Sequence, residues 1–302
     1  MTWRNVIKKI RMDAAYLFIR FFVGILRLLP RRTALGVGSI IGRIIPYFAA
    51  KELMFSADHL MLAFGDEKGD AEIMRMTRES FRQLAMNFVD TIRIKAMSRD
   101  DIINVGVPHN MERLSDAFAR GNGVIMLGSH SGCWEWLGAY LALTGTPLSV
   151  IATKLYDRRL EKMLVDSRKY AGMNVISRGE DTRDIIRVLK SNGAIGVLVD
   201  QDTKVKGEFV DFFGRPAHTA TAPAVLSLRY NAPIIPALTY RDDQHRHHVC
   251  IGEPVTIEPT GDSERDIREI TRKCSKITED FIREHPTQWV WFHERWKKTQ
   301  QA

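Results

Sequence analysis

Five short apolar runs, separated by segments with helical periodicity, constrain the fold of this chain more than any other feature. Each run has the length and the aliphatic composition of a buried strand. The runs comprise residues 123–127, 148–152, 194–199, 234–238 and 248–251. Helical patterns between them occupy the segments near Trp134 to Leu143, Arg158 to Ala171, Asp181 to Ser191 and Ala220 to Tyr230. This alternation predicts an α/β fold, with a mainly parallel, mixed central sheet flanked by helices.

The residues before this region are predicted to be helical. Between Lys51 and Ser98, apolar residues recur at three- and four-residue spacings. Residues 14–29 read AAYLFIRFFVGILRLL, which is shorter than the about 20 apolar residues that a spanning helix needs. Arginines at one face and basic flanks favour an amphipathic helix that associates with a membrane surface. The alternative is a helix that packs on the body of the protein as core.

A second apolar stretch, Leu35 to Ala50, contains three glycines and a proline, and we predict a helix pair there that does not span a membrane. No segment of the chain resembles a flexible linker. We therefore predict a membrane-associating helical region at residues 1–50 and a single α/β domain at residues 51–302.

The charge of the chain limits its partners. The 44 Lys and Arg residues exceed the 36 Asp and Glu residues, which gives a formal net charge of +8. This charge favours anionic partners such as acidic lipid headgroups, phosphorylated substrates, acidic carrier proteins or nucleic acid. Nucleic acid is disfavoured, because no element combines a basic stripe with interleaved aromatic residues.

The cysteine and histidine patterns give little support for a metal site. Cys133, Cys250 and Cys274 are far apart and form no CxxC pair, so neither a disulfide framework nor structural zinc is indicated. The segment RHHVC, residues 246–250, lacks a second pair of ligands, and we interpret it as a solvated loop at an edge strand or hairpin. We expect no metal and no cofactor.

The strongest candidate for chemistry lies in residues 123–140, GVIMLGSHSGCWEWLGAY. A buried strand ends at Gly128 and a helix begins near Gly132, so His130 falls at the edge where open α/β sheets bind ligands. A histidine at this position can act as a general base. Glu135 is expected to curl back to the ring and fix its tautomer, and free backbone N–H groups of the turn are expected to attract an oxyanion.

Two other interpretations of this motif stay open. An H-x4-E pattern is common by chance, and its ordinary meaning is a helix-capping histidine beside a surface glutamate. Cys133 beside His130 could also form a Cys–His nucleophile of the thioesterase type, although a helical residue three positions after the histidine can face away from it.

The motif in its setting resembles the lysophospholipid acyltransferase superfamily, and most nearly the bacterial lipid A biosynthesis (lauroyl/myristoyl) acyltransferases. The resemblance covers almost the whole chain. It includes LPRR after the N-terminal helix, GNGVIMLGSHSGCWEW, ISRGEDTRDIIRVLKSNGAIGVLVDQD, GEFVDFFGRPAHTATAPAVLSLRYNAPIIP and HPTQWVWFHERWK. VDQD stands where the glycerol-phosphate acyltransferases of the superfamily have an FPEG-type segment, which favours the lipid A branch. Cys133 departs from the pattern, in which Asn is commoner.

The resemblance implies roles for individual residues. It makes His130 the catalytic base and Glu135 its catalytic partner, and it places Arg178 near a substrate phosphate or the oxyanion. Asp200 and Asp202 match an acidic pair of the family and follow a buried strand, so they are expected to point into the same cleft. The predicted substrate-binding set is Arg178, Asp200, Asp202, Ser129, Gly132 and Trp134.

The function implied is O-acyl transfer from an acyl-carrier-protein or CoA thioester to a hydroxyl of a phosphorylated glycolipid, a lipid A precursor, at the cytoplasmic face of a bacterial inner membrane. Lys154, Arg158, Arg159, Lys204 and Lys206 are candidates to meet its phosphates or an acidic carrier protein. The alternatives are an acyltransferase for a lysophospholipid, aminolipid or other glycolipid, and a non-catalytic membrane-binding protein of the same fold.

Overall fold

A computed structural model describes residues 3–177 and 182–297. Within these residues the strands are β1 Gly106–His109, β2 Val124–Gly128, β3 Leu148–Ala152, β4 Asn174–Ser177, β5 Ala194–Leu198, β6 Gly207–Phe212, β7 Arg215–Ala220, β8 Ile234–Arg241 and β9 His247–Ile251. The helices are α1 Trp3–Leu28, α2 Arg31–Phe48, α3 Ala50–Phe64, α4 Asp70–Arg93, α5 Arg99–Asn104, α6 Glu112–Ala119, α7 Trp134–Leu143, α8 Arg158–Tyr170, α9 Thr182–Lys190, α10 Ala222–Tyr230 and α11 Ser263–Glu284.

Seven strands form the central sheet in the order β1-β9-β8-β2-β5-β3-β4. All neighbouring strands are parallel except β8 and β9, which form an antiparallel hairpin. Strands β6 and β7 form a separate antiparallel hairpin. The predicted α/β fold with a mixed central sheet flanked by helices is therefore confirmed. The central strand β2 is buried along its whole length, as its uninterrupted apolar sequence requires.

Two apolar cores cover the two faces of the sheet. One core includes Trp136 and Tyr140 of α7, and the other includes Leu189 of α9, Leu226 of α10 and Ile270 of α11. Local signals set the helix boundaries: Asp157 caps α8 and Asp262 caps α11 through hydrogen bonds from backbone N–H groups. These helices hold the carboxyl ends of the central strands in fixed positions.

The N-terminal helices pack on α4. The predicted helix pair at residues 35–50 is wrong, because most of this stretch forms the single helix α2. Gly42 of α2 lies so close to α4 that a Cβ atom there would be 2.6 Å from the Cα of Arg82. No helix within residues 3–177 or 182–297 combines the length and the hydropathy needed to cross a bilayer alone; α2 and α3, bent by 96°, reach both only as a pair.

Candidate active site

His130 and Asp200 follow two neighbouring parallel strands at the centre of the sheet. In the register of β2 and β5, Gly128 lies opposite Leu198. His130 and Asp200 each come two residues later in the chain, so the sheet brings them to the same place. Their positions follow from strand pairing, and the loops after such strand ends are where α/β proteins bind ligands.

Asp200 binds the His130 ring and the His130 backbone together. Its Oδ1 lies 2.7 Å from His130 Nδ1, and its Oδ2 accepts hydrogen bonds from the His130 N–H at 2.6 Å and from Trp289 Nε1 at 2.7 Å. Burial opposes ionisation of Asp200, but the His130 ring, the Trp289 indole and the His130 N–H together lower its pKa well below its ordinary value. An ionised Asp200 holds the proton of His130 on Nδ1 and leaves Nε2 as the acceptor.

The expected contact of Glu135 with the His130 ring is wrong for this structure. The Glu135 carboxylate instead accepts two hydrogen bonds from Arg168 of α8, from Nε at 2.9 Å and from Nη2 at 2.5 Å. Both side chains are only 11% exposed. A bidentate pair of this kind fixes the carboxylate on the α8 side of α7. The ring of His130 is oriented by Asp200, and Glu135 positions Arg168.

The turn between β2 and α7 requires a glycine. Gly132 has a φ of +56°, and a Cβ atom there would be 2.3 Å from the Thr239 carbonyl oxygen. Its N–H donates to the Gln288 carbonyl, and the His130 N–H donates to Asp200. These two N–H groups are therefore not free for an oxyanion, which corrects the expectation for the turn. The first N–H groups of α7, at Trp134 and Glu135, have no acceptor within the helix.

A cavity of about 830 Å³ opens beside His130. Its polar part is lined by Ser129, His130, Glu135, Arg168 and Gln201. Its apolar part runs between α7, α8 and the central strands and is lined by Met126, Leu137, Gly138, Leu141, Leu148, Val150, Met173 and Ile176, among others. Ser129 has a buried hydroxyl with no hydrogen-bond partner among the described residues. A long apolar chain with a polar end fits this distribution of side chains.

The other predicted site residues are placed as follows. Trp134 lines the cavity, with its ring centroid 5.1 Å from that of His130. Asp202 lies next to His218, 3.2 Å from its Nδ1. Arg178 lies outside the described residues.

Phe212, the last residue of β6, and Phe213 belong to a core with Trp289 and Trp291. Trp289 and Trp291 of the C-terminal segment are each 1% exposed and therefore pack in the interior of the protein.

Cys133 does not have the surroundings of a nucleophile. It is 1% exposed, and burial raises its pKa to about 11. The predicted solvated loop at RHHVC is also wrong in part, because His247 is fully buried in β9, inside the sheet. The prediction of a hairpin there is confirmed. Within the described ranges, no group of three or more His, Cys, Asp or Glu side chains is arranged to hold a metal ion.

Sequence reasoning missed four residues at the site: Arg168, Gln201, Trp289 and His293. Gln201 Nε2 is 3.2 Å from His130 Nε2, and the His293 ring lies edge-on to the His130 ring with centroids 4.9 Å apart. The C-terminal segment supplies Trp289 and His293, which lie about 160 residues beyond His130 along the chain. The only sequence signal was the presence of polar aromatic side chains in a segment that otherwise has the composition of core.

Comparisons with known proteins agree on the family. The family model described as bacterial lipid A biosynthesis acyltransferase matches residues 7–298. The lipid A biosynthesis palmitoleoyltransferase of Escherichia coli (strain K12) is 25% identical over 283 residues, 92% of this chain and 90% of the relative. The phosphatidylinositol mannoside acyltransferase of Mycobacterium tuberculosis (strain ATCC 25618 / H37Rv) is 25% identical over 227 residues, 74% of this chain and 67% of the relative. The protein of the same name from Mycolicibacterium smegmatis is 24% identical over 231 residues, 75% and 70% of the two chains.

The match with the family model extends over the strands, the cavity and the C-terminal segment that carries Trp289 and His293. The described geometry is compatible with acyl transfer, because a histidine hydrogen-bonded to a buried carboxylate lies beside a largely apolar cavity. This chain belongs to the bacterial lipid A biosynthesis acyltransferase family and is an acyltransferase.

Proposed function

We propose that this protein transfers a fatty acyl chain from an acyl-carrier-protein or CoA thioester to a hydroxyl of a lipid A precursor, with His130 as general base. One observation carries the proposal: Asp200 is hydrogen-bonded to Nδ1 of His130, which lines a largely apolar cavity of about 830 Å³. The fold assignment behind it is that of the lysophospholipid acyltransferase superfamily.

The chemistry is direct transfer. His130 Nε2 takes the proton of the acceptor hydroxyl while the oxygen attacks the thioester carbonyl carbon. The tetrahedral intermediate then breaks its C–S bond, and the departing thiolate receives the proton from the imidazolium. Asp200 stabilises that imidazolium, since both of its oxygens are held in place and its charge adjoins Nδ1. A positioned general base of this type contributes about 10²–10⁴-fold to the rate.

The oxyanion needs donors that remain free at the edge of the cavity. The buried Ser129 hydroxyl and the first N–H groups of α7 have this position. Arg168, held by Glu135, adds a positive charge to the same wall. The proposed substrate-binding set retains Arg178, Asp202, Gly132 and Trp134. Glu135 is proposed to contribute to catalysis indirectly, by positioning Arg168.

The surface of α1 supports attachment to a membrane. Val23 and Leu26 pack on the body, and Arg27 Nε donates to the Ile92 carbonyl at 2.8 Å. Phe18 and Phe21 are each 69% exposed, as are several other large apolar side chains of α1. An apolar surface of this size on a basic protein fits an anionic bilayer, with α1 lying in the interface. We place the protein at the cytoplasmic face of the inner membrane, where it would meet both substrates.

Basic side chains near the cavity would bind the phosphates of the acceptor or the acidic carrier protein. The candidates are Lys154, Arg158, Arg159, Lys204 and Lys206. Arg159 also joins Asp13 of α1 to Asp157 at the start of α8, so its replacement would affect more than binding. We expect alanine replacement of the other four residues, Lys154, Arg158, Lys204 and Lys206, to weaken binding of either substrate. Unchanged affinities for both substrates would contradict this part of the proposal.

The proposal is tested with purified protein in detergent, a radiolabelled lipid A precursor and a panel of acyl-carrier-protein and acyl-CoA donors. We expect transfer by the unaltered protein, and loss of transfer in His130→Ala and Asp200→Asn. Glu135→Ala should also lose much of its activity, through Arg168. His245→Ala, in the turn between β8 and β9, is the matched histidine control and should be fully active. Folded protein that transfers no acyl group from any donor would contradict the proposal.

A second acceptor is favoured by a specific observation. Relatives named phosphatidylinositol mannoside acyltransferases are as similar to this chain as the relatives named for lipid A. A mannosylated phosphatidylinositol acceptor therefore belongs in the same assay. Transfer to it, and not to the lipid A precursor, would keep the chemistry and change the acceptor.

A further inference from the structure

The nitrogen of His130 that would take the proton is covered in this structure. Gln201 Nε2 lies 3.2 Å from His130 Nε2. The same amide nitrogen contacts the His293 ring, closely at Nδ1 and at 3.1 Å from Nε2. Gln201 lies in the irregular segment between β5 and β6 and lines the cavity. One amide group therefore bridges the proposed base and a second histidine.

The hydrogen-bonding roles in this arrangement follow from Asp200. Its carboxylate keeps the His130 proton on Nδ1, so that Nε2 has only a lone pair and must accept. The amide nitrogen of Gln201 is a donor, whereas the reverse amide orientation would put a carbonyl oxygen against that lone pair. Burial and, to a lesser extent, the neighbouring His130 lower the pKa of His293 to about 4. A neutral His293 can accept the second hydrogen of the amide.

We propose that Gln201, held by His293, is a positioning residue that caps His130 Nε2 until the acceptor hydroxyl displaces it, and thereby disfavours hydrolysis of the donor thioester. The inference rests on the proposed acyl transfer. Water that reached the uncapped base would lose a proton to Nε2 and attack the thioester carbonyl. The C–S bond would break, the thiolate would take up that proton, and the products would be a fatty acid and a free thiol.

The capping amide gives the acceptor an advantage over water. A lipid hydroxyl that is bound by the rest of its molecule can displace Gln201, because binding elsewhere compensates for the lost hydrogen bond. A single water molecule has no such additional contacts. The hydrogen bond between Gln201 and His130 is worth about 1 kcal/mol, which corresponds to roughly five- to tenfold in the partition between the two reactions.

The experiment compares Gln201→Met, which keeps the length of the side chain and removes the donor, with Gln244→Met as the matched control at an exposed position. Free fatty acid and acylated lipid are measured from the same labelled donor. We expect Gln201→Met to raise the ratio of hydrolysis to transfer by about five- to tenfold. His293→Phe should raise it less, because a ring remains beside Gln201 while both ring nitrogens, and with them the acceptor for the amide, are lost. Gln244→Met should leave the ratio unchanged. A merely structural role would lower both reactions together at constant ratio, which would overturn the proposal.

A second measurement separates this proposal from the proposed function, because it needs no substrate. In protein labelled with ¹⁵N-histidine, the Nε2 resonance of His130 is identified by its loss in His130→Ala. We expect that resonance to shift in Gln201→Met and to stay in place in Gln244→Met. An unshifted resonance in folded Gln201→Met would show that the amide does not cap the base. A shifted resonance from a protein without transferase activity would leave the cap established and the proposed function wrong.

Discussion

His130 and His247 are each hydrogen-bonded to a fully buried aspartate, His130 to Asp200 and His247 to Asp90, and of these two histidines His130 lines the cavity described above. The distances are similar, 2.7 Å for the first pair and 2.8 Å for the second. The His130 side chain is 16% exposed, whereas the His247 side chain is 0% exposed and its ring stacks on Trp136 with centroids 4.3 Å apart. The two hydrogen bonds are similar in length but use Nδ1 of His130 and Nε2 of His247, and of the two rings only that of His130 is accessible.

The charges around the two pairs also differ. Asp90 accepts hydrogen bonds from Arg31 and from Arg241 in addition to His247. Burial and the nearby Arg241 lower the pKa of His247 to about 4, despite the contact with Asp90. At His130, none of the arginines in the described ranges is hydrogen-bonded to the carboxylate of Asp200. An Asp–His pair is therefore suited to the proposed role of a base where the ring reaches a cavity, and to that of a structural link where arginines enclose it.

We expect the largest loss of activity when His130 of the first pair is replaced, and little loss when His247 of the second pair is replaced. His130→Gln should lower kcat/KM for acyl transfer by about 10²–10⁴-fold, because the proton acceptor is lost. His247→Gln retains a donor for Asp90, and we expect its specific activity to stay within a factor of about two, a change below 0.5 kcal/mol. The measurement is labelled acyl transfer by folded protein, checked by circular dichroism. Equal losses of activity in the two variants would contradict the assignment of the base to the pair that lines the cavity.

Asp90→Ala tests the structural pair. Removal of this carboxylate leaves Arg31 and Arg241 without their buried partner, so the free energy of unfolding should fall by about 3–5 kcal/mol. Urea unfolding followed by tryptophan fluorescence gives the value, with Asp243→Ala at the exposed β8–β9 turn as the control. A loss below about 1 kcal/mol, the range of a surface ion pair, would contradict the structural assignment.

Much of the fold could be predicted from the sequence because its signals are local. The strands β2, β3, β5, β8 and β9 coincide with the five apolar runs to within one to three residues at their ends. Strand β1 was not predicted, since its four residues include a proline and lack an apolar run. The β6–β7 hairpin was not predicted either, because its strands contain charged and polar residues on a surface that packs only partly on the core.

The candidate site was predictable only in part, because its contacts are not local. His130 could be found from its position after a buried strand. Asp200 was also expected in the cleft, because it follows a buried strand. Its contact with the His130 ring was not predicted, because it depends on the pairing of Gly128 with Leu198, and that register is absent from the local pattern. Glu135 lay near in sequence and was expected at the ring, but Arg168 of α8 binds it. Closeness along the chain therefore did not predict the partner of Glu135, because the ion pair joins two different helices, α7 and α8.

The buried His247 should make the stability of the protein fall at acidic pH. Folding lowers the pKa of His247 from 6.5 to about 4. Between these two pH values, His247 binds a proton in the unfolded chain but not in the folded chain. The contribution is complete above pH 6.5 and is lost progressively down to about pH 4, by about 3 kcal/mol in total. His293, also lowered to about 4, adds to the loss in the same range. Unfolding by urea between pH 7 and pH 4 should show a weaker dependence in His247→Gln; an unaltered slope would mean that His247 takes up its proton while folded.

Glu135 does not contact the His130 ring, so its replacement should affect stability less than the changes above and leave the ring unaltered. The pair of Glu135 and Arg168 should show a coupling free energy of about 0.5–3 kcal/mol in a double-mutant cycle of Glu135→Gln and Arg168→Gln, measured by urea unfolding. The same Glu135→Gln variant should leave the ¹⁵N resonances of the His130 ring in place, because Asp200 still fixes the tautomer. Asp200→Asn should move them, since an amide can no longer hold the proton on Nδ1 as a carboxylate does. If Glu135→Gln moved the resonances and Asp200→Asn did not, Glu135 would be the partner of the base after all.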